Sequence, residues 1–215
     1  MPRLAFERNR EGKQEFSMNP HHYNPRRYRE ALEFASRAHD GQLRKGSDIP
    51  YITHPVAVSA ILAQYGYGED LVIAGLLHDV LEDTVVSALE LEKKFGEDIA
   101  SLVRGVTEEK TDVRGLPRPW EIRKEEAIWH AGLAEEQVVV LKAADALHNV
   151  YCLVRDMRIA GDDIWTRFKR GKEQQLDYYR RLANMICERL KENLLALELS
   201  EAVDKLEKLA LEGRA

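Results

Sequence analysis

The most apolar stretch of the chain lies at residues 70–83 and reads Asp70-Leu-Val-Ile-Ala-Gly-Leu-Leu-His-Asp-Val-Leu-Glu-Asp83. Its apolar residues do not alternate with a period of two, so the pattern predicts a helix rather than a strand. A helix that is apolar nearly all round belongs in a protein core. This one nevertheless carries four polar residues near its end: His78, Asp79, Glu82 and Asp83. Buried carboxylates are costly unless a positive charge meets them, which favours a cation at this place.

A second predicted core helix, residues 135–158, shows the same irregularity. Its run of valine, leucine and alanine is interrupted by four polar side chains: Lys142, Asp145, His148 and Asn149. Residues four apart share one face of a helix, so Asp145 and Asn149 point the same way. Two core helices that each turn acidic groups inward favour a shared cation between them.

Histidines near these helices can complete the ligand set of such a cation. His54 stands directly before Pro55 at a predicted helix start, and His39 is the weaker candidate. Imidazole and carboxylate together suit manganese, iron, zinc or magnesium. The residues alone leave one alternative open, in which His78 and His148 are packed, hydrogen-bonded core residues.

The remaining pattern is helical throughout and predicts an all-α fold. Residues 1–24 are expected to form a flexible N-terminal arm, because they are polar and basic without an apolar run. Residues 25–158 are expected to form the core. Residues 159–215 are expected to form C-terminal helices that pack on it.

Composition limits the function classes. The chain of 215 residues has a net charge of −5 and 44% apolar residues, so it should bury a core and bind neither nucleic acid nor a membrane. No N-terminal apolar run indicates a signal peptide, and no run is long enough to span a bilayer. Two cysteines are few for a secreted scaffold and predict a cytoplasmic location with reduced thiols.

The ordered set His54, His78-Asp79 and Asp145 resembles the HD-domain metal phosphohydrolases, which are HD-domain helical bundles. The resemblance narrows to the hydrolase domain of the RelA/SpoT family on five stretches of sequence. They are AHDGQLRKG at 38–46, PYITHP at 50–55, LLHDVLEDT at 76–84, the stretch from Phe95-Gly96 through Gly105-Val106-Thr107, and LKAADALHN at 141–149. The segment 110–131 departs from the family pattern, and Ala146 stands where the family often has arginine.

The resemblance implies a stand-alone small alarmone hydrolase of the stringent response. Such an enzyme removes the 3′-pyrophosphate of guanosine tetra- and pentaphosphate, (p)ppGpp. It implies one Mn²⁺ ion held by His54, His78, Asp79 and Asp145. One member of the pair Glu82 and Asp83 would act as general base. Three residues would bind the substrate: Arg44 by stacking on the purine base, Lys45 on phosphate and Asn149 on ribose or phosphate.

Two alternatives to this activity remain at the level of sequence. An HD phosphatase could act on another small-molecule nucleotide, namely a nucleoside monophosphate, a deoxynucleoside triphosphate or NADPH. A module without catalysis could instead sense nucleotides, although such a module needs no water-activating carboxylates. The leucine-rich terminal helix, residues 192–211, could form a homodimer surface or cap the core.

Overall fold

The computed structural model describes residues 6–8, 14–16 and 23–212. Two short strands, β1 (Phe6–Arg8) and β2 (Gln14–Phe16), pair antiparallel with Phe6 opposite Phe16. The sequence pattern did not predict these strands, because three residues are too few to show alternation. Most of the predicted flexible arm, residues 1–24, lies outside the described residues, and that expectation stays a prediction.

Helices account for about three quarters of the residues between 23 and 212, which confirms the all-α prediction. They are α1 (Pro25–Ala38), α2 (Thr53–Gln64), α3 (Glu69–Leu77), α4 (Val80–Asp83), α5 (Ala88–Phe95), α6 (Glu97–Val106), α7 (Trp120–Leu133), α8 (Glu136–Ala160), a 3₁₀ helix (Gly161–Arg167), α9 (Gly171–Leu190) and α10 (Leu194–Glu212).

Helix α3 forms the centre of the N-terminal half, where every residue from Leu71 to Leu77 is buried. It packs against α1, α2, α6 and α8. The approach of α2 depends on Gly75, because a Cβ atom there would lie 2.8 Å from Leu62 Cδ1 and 3.0 Å from Ser59 Cα. This close approach brings side chains of α2 to the C-terminal half of α3, against which α8 also packs.

The predicted continuous helix over residues 70–83 is interrupted at His78 and Asp79, where α3 ends and α4 begins. The Nδ1 atom of His78 lies 2.9 Å from the carbonyl oxygen of Gly75 and donates to it. In a continuous helix that oxygen would accept from the amide of Asp79. The side chain of His78 therefore takes the acceptor that would have extended α3.

The C-terminal part also differs from its predicted form. The helix expected from residue 163 to 190 is divided into the 3₁₀ helix and α9, with a turn at Gly171, where φ is +71°. Helix α10 packs on α8 and α9. Its buried residues include Leu195, Leu199 and Leu206, so α10 caps the core. None of the helices in the described residues is long and apolar enough to cross a membrane.

Candidate metal centre

Three separate segments bring potential metal ligands to one point. His54 comes from the first turn of α2, His78 from the turn between α3 and α4, and Asp145 from the middle of α8. Their ligand atoms all lie within 4.8 Å of one another. The Nε2 atom of His54 is 3.2 Å from Asp145 Oδ1, and that of His78 is 3.8 Å from the same oxygen. The sequence predicted this convergence across more than 90 residues of chain.

Asp79 lies beside this group. Its Oδ2 atom is 3.0 Å from His78 Nε2 and 3.5 Å from His54 Nε2, so it faces both imidazoles. The same oxygen accepts a hydrogen bond of 2.7 Å from the hydroxyl of Tyr51. Of the four residues that the resemblance assigned to the metal, three therefore form one group and the fourth, Asp79, contacts both of its histidines.

One ring nitrogen of His78 is hydrogen-bonded, and the other is left available to a metal ion. Its side chain is 2% exposed, and its Nδ1 is held by the carbonyl of Gly75. Its Nε2 makes no hydrogen bond with any described residue, although Asp79 Oδ2 is close. Buried polar atoms are nearly always hydrogen-bonded, and metal-bound imidazoles typically donate their other nitrogen to a carbonyl or carboxylate. His78 thus has the environment of a metal ligand.

His54 is held from behind by a second imidazole. Its Nδ1 lies 2.6 Å from Nδ1 of His148, so one of these nitrogens carries the proton and the other accepts it. A lone pair on His54 Nε2, facing Asp145, requires the proton on His54 Nδ1. His148 then accepts, and its own Nε2 carries a proton, 3.7 Å from Cys152 Sγ. The sequence left open whether His148 packs in the core or binds the metal. In the structure it is the hydrogen-bond partner of His54.

Asp145 is fixed by its neighbours on α8. Its Oδ2 lies 3.2 Å from Nζ of the buried Lys142, and its Oδ1 accepts a hydrogen bond of 2.6 Å from Asn149. Lys142, one of the polar residues that interrupt the apolar run of α8, is therefore paired with a carboxylate. Because these contacts come from residues on the same helix, Asp145 is directed at the histidines before any ion binds.

The electrostatics of the cluster favour a positive charge at its centre. Burial alone would raise the pKa of Asp79 and Asp145, but His78 beside the first and Lys142 beside the second hold both pKa values well below the usual range. Burial opposes protonation of His78, yet the two carboxylates outweigh it and raise the pKa of His78 to about 9. The two nitrogens and two carboxylates fit a borderline divalent ion.

Glu82 and Asp83 lie on α4, one turn beyond the cluster. Burial and the nearby Glu108 raise the pKa of Glu82. An Oε1 atom of Glu82 lies 3.2 Å from Lys110 Nζ, and Asp83 forms an ion pair with the same lysine. The other oxygen of Asp83 lies 3.1 Å from the Tyr51 hydroxyl and shares with Asp79 the single proton that this hydroxyl donates. The other oxygen of Glu82 accepts a hydrogen bond of 3.2 Å from the backbone N–H of Glu108, so both carboxylates have both oxygens engaged. They differ in that Glu82 lines an open groove and Asp83 does not.

The three residues expected to bind substrate fall into two places. Arg44 donates a hydrogen bond of 2.8 Å to Asn149 Oδ1, and its guanidinium carbon lies 5.6 Å from the ring centroid of Tyr51. These two residues join the cluster through Asp145. Lys45 points elsewhere, with Nζ 4.7 Å from the ring centroid of Phe168.

Reasoning from sequence missed two residues that contact the candidate catalytic groups, Tyr51 and Lys110. Tyr51 bridges Asp79 and Asp83, and its position three residues before His54 within a quoted motif was the available signal. Lys110 lies in the segment that departs from the family pattern, so nothing marked it. His39, the weaker ligand candidate, is instead buried against Tyr51, and its Nδ1 lies 2.9 Å from Gln42 Oε1.

Comparison with known proteins agrees with this geometry. A family model described as "HD domain" matches residues 31–186. The guanosine-3′,5′-bis(diphosphate) 3′-pyrophosphohydrolase of Borreliella burgdorferi is 40% identical over 144 residues, covering 63% of this chain and 21% of that protein. The bifunctional (p)ppGpp synthase/hydrolase SpoT of Escherichia coli is 35% identical over 163 residues, covering 75% and 22%. The chain therefore spans about a fifth of the length of these two relatives.

Two solved structures match this chain over nearly the whole of their own length. A metazoan ortholog of SpoT that hydrolyses ppGpp has a TM-score of 0.65 and 28% identity, covering 87% of this chain and 97% of that one. A protein of Listeria monocytogenes has a TM-score of 0.65 and 31% identity, covering 74% and 96%. The resemblance read from the motifs is confirmed. With the family model matching most of its length, the chain belongs to the HD-domain family.

Proposed function

We propose that this chain is a metal-dependent hydrolase that removes the 3′-pyrophosphate of guanosine tetra- and pentaphosphate, giving GDP or GTP and pyrophosphate. The convergence of ligand atoms of His54, His78 and Asp145 within 4.8 Å, with Glu82 on the short helix that follows His78, carries the proposal. The names of the relatives support the substrate, since three of the proteins compared above act on (p)ppGpp.

In this proposal His54, His78, Asp79 and Asp145 hold one divalent ion, Mn²⁺. The unpartnered Nε2 of His78 and the carboxylate that faces it supply the lone pairs that such an ion requires. When bound, the ion contributes positive charge for phosphoryl oxygens and lowers the pKa of water.

Glu82 acts as the general base. Its raised pKa brings it nearer to neutral pH, where proton transfer is most efficient, and it lines a groove that a substrate can enter. Asp83 is not in the lining of that groove and contacts Tyr51 and Lys110, so its role is to hold these two residues around the base. The two carboxylates thereby divide the tasks that the sequence left undivided between them.

The reaction is a hydrolysis at the phosphorus attached to the 3′-oxygen of the nucleoside. Glu82 takes a proton from the attacking water, whose oxygen forms the new bond to phosphorus. The bond between that phosphorus and the 3′-oxygen breaks, and the 3′-oxygen takes up a proton. Arg44, held by Asn149 beside Tyr51, stacks on the purine, and Lys45 binds phosphate.

Product analysis tests the proposal. Purified protein with Mn²⁺ is incubated with guanosine 3′,5′-bis(diphosphate), a nucleoside monophosphate, a deoxynucleoside triphosphate and NADPH, and the products are separated. Pyrophosphate and GDP from the first substrate are expected. Orthophosphate from another substrate, without pyrophosphate from the first, would instead identify a different HD phosphatase.

A pair of variants tests the role of Glu82. Glu82→Gln should lower kcat by about 10²–10⁴-fold, because general base catalysis contributes that much. Glu90→Gln removes a carboxylate from the exposed face of α5 and should leave kcat unchanged. Turnover by Glu82→Gln equal to that of Glu90→Gln would refute the assignment. If the unchanged protein hydrolyses none of the nucleotides tested, that result would favour a nucleotide sensor.

A cytoplasmic location accompanies the proposal, since both cysteines are free thiols. The homodimer expected as one role of the terminal helix stays a prediction. Most of the apolar side chains of α10 are buried within the chain, while Leu194, Leu197 and Leu211 remain exposed.

A further inference from the structure

The helix that carries Glu82 is too short to hold itself in place. Helix α4 has four residues, Val80–Asp83. One backbone hydrogen bond of 2.9 Å joins the N–H of Asp83 to the carbonyl oxygen of Asp79. The last carbonyl groups of a helix have no partner within the helix, and a single helical turn is not stable by itself. The position of Glu82 therefore depends on contacts that other elements make with α4.

The side chain of Gln42 meets the end of this helix. Its Nε2 atom donates a hydrogen bond of 2.8 Å to the backbone carbonyl oxygen of Asp83, across 41 residues of chain. The backbone carbonyl of Gln42 also accepts a hydrogen bond of 2.8 Å from the N–H of Tyr51. The hydroxyl of Tyr51 in turn contacts the carboxylates of Asp79 and Asp83. Gln42, in the loop after α1, thus joins that loop both to Tyr51 and to α4.

His39 decides which way the amide of Gln42 faces. Its Nδ1 atom lies 2.9 Å from Gln42 Oε1. A backbone carbonyl can only accept, so Gln42 presents its amino group to Asp83 and its oxygen to His39, whose Nδ1 donates. The imidazole is 2% exposed, and its Nε2 makes no hydrogen bond with any described residue. Its ring centroid lies 4.9 Å from that of Tyr51, so packing fixes the imidazole that orients Gln42.

We infer that Gln42, oriented by His39, is a positioning residue for the general base: it holds the end of α4 and so keeps Glu82 in place beside the metal centre. This role rests on the proposed function, in which Glu82 takes a proton from water. The carboxylate of Glu82 is oriented separately, by Lys110 and by the N–H of Glu108, whereas Gln42 acts on the backbone of the helix. Both polar atoms of the Gln42 side chain are used by these two contacts, so metal binding should not depend on it.

Amide hydrogen exchange of the metal-free full chain tests whether Gln42 holds α4. Gln42→Met keeps the length of the side chain and removes both of its polar atoms. Amides of residues 80–86 should exchange about two- to tenfold faster in this variant, as expected for the loss of one hydrogen bond, while those of α5 keep their rate. Gln137→Met, on the exposed first turn of α8, is the control and should change neither segment. Equal exchange over residues 80–86 in Gln42→Met and the unchanged protein would overturn the inference.

Steady-state kinetics with Mn²⁺ and guanosine 3′,5′-bis(diphosphate) test whether the contact acts through Glu82. Gln42→Glu keeps the shape of the side chain but places an oxygen against the carbonyl of Asp83. It should lower kcat about 10–100-fold, the effect of a misplaced catalytic group, and leave KM within about twofold. Gln137→Glu makes the same exchange of amide for carboxylate on α8 and should leave kcat unchanged.

The double variant Gln42→Glu/Glu82→Gln separates positioning from a general structural role. Without the base, Gln42→Glu should lower kcat by less than about twofold, because the group that it positions is gone. Losses that multiply in the double variant, or a rise in KM at unchanged kcat, would overturn the inference. Hydrogen exchange does not require turnover, so failure of the proposed activity would be seen separately from failure of the contact at α4.

Discussion

Substitution of Lys142 by methionine should destabilise the metal-free protein by about 3 kcal/mol, the lower end of the cost of breaking a buried ion pair. The Lys142 side chain is 9% exposed, that of Asp145 is 15% exposed, and their charged atoms are 3.2 Å apart. The residual exposure of Asp145 is the reason for choosing the lower end. Methionine keeps most of the volume of the lysine side chain, so the loss reports charge rather than a cavity.

Metal should restore part of this stability. Without Lys142, the carboxylate of Asp145 lacks its nearest cation, and a divalent ion would supply one. Mn²⁺ should therefore raise the free energy of unfolding of Lys142→Met by more than it raises that of the unchanged protein. Each additional 1.4 kcal/mol corresponds to about tenfold tighter binding.

Urea unfolding in EDTA and in excess Mn²⁺ measures both quantities. Lys93→Met, on the exposed face of α5, is the matched control and should change the free energy of unfolding by less than about 0.5 kcal/mol. The double variant Lys142→Met/Asp145→Asn should lose less than the sum of the single losses, because the two residues interact. The reasoning is refuted if Lys142→Met is as stable as the control in EDTA, or if the losses simply add.

Three further outcomes follow from the contacts of the site and the core. His148→Ala should weaken Mn²⁺ binding about 10–100-fold in a chelator competition, because it removes the partner of a metal-ligating imidazole; unchanged affinity would contradict that role. Tyr51→Phe should lower kcat about tenfold while the protein stays folded, since it removes hydrogen bonds to two site carboxylates; a rise only in KM would argue against it. Gly75→Ala should cost about 1–3 kcal/mol in thermal unfolding through overpacking. Gly132→Ala, whose Cβ would lie 3.8 Å from its nearest neighbour, should not destabilise and could gain up to about 1 kcal/mol.

The sequence predicted the parts of the site that depend on helix periodicity. Carboxylates within apolar helices have few stable environments, so Asp79 and Asp145 indicated a cation before their positions were known. The spacing of apolar residues predicted helices rather than strands, and the bounds of α8 were predicted to within about two residues. Because these features are local, they can be predicted from one amino-acid sequence.

Features that depend on a side chain meeting a distant partner were not predictable. The break between α3 and α4 depends on a hydrogen bond from His78 to the carbonyl of Gly75. The pairing of His54 with His148 joins residues 94 positions apart. The helix predicted over residues 163–190 is divided into a 3₁₀ helix and α9, which leaves Phe168 and Lys169 in the connection between them. None of these leaves a periodic signal.

Anomalous scattering from a crystal of the protein grown with Mn²⁺ tests the metal centre most directly. We expect one peak per chain, within coordination distance of His54 Nε2, His78 Nε2 and Asp145 Oδ1 and in contact with Asp79. A peak at another place, or none at full Mn²⁺ saturation, would contradict the assignment of these four residues as ligands.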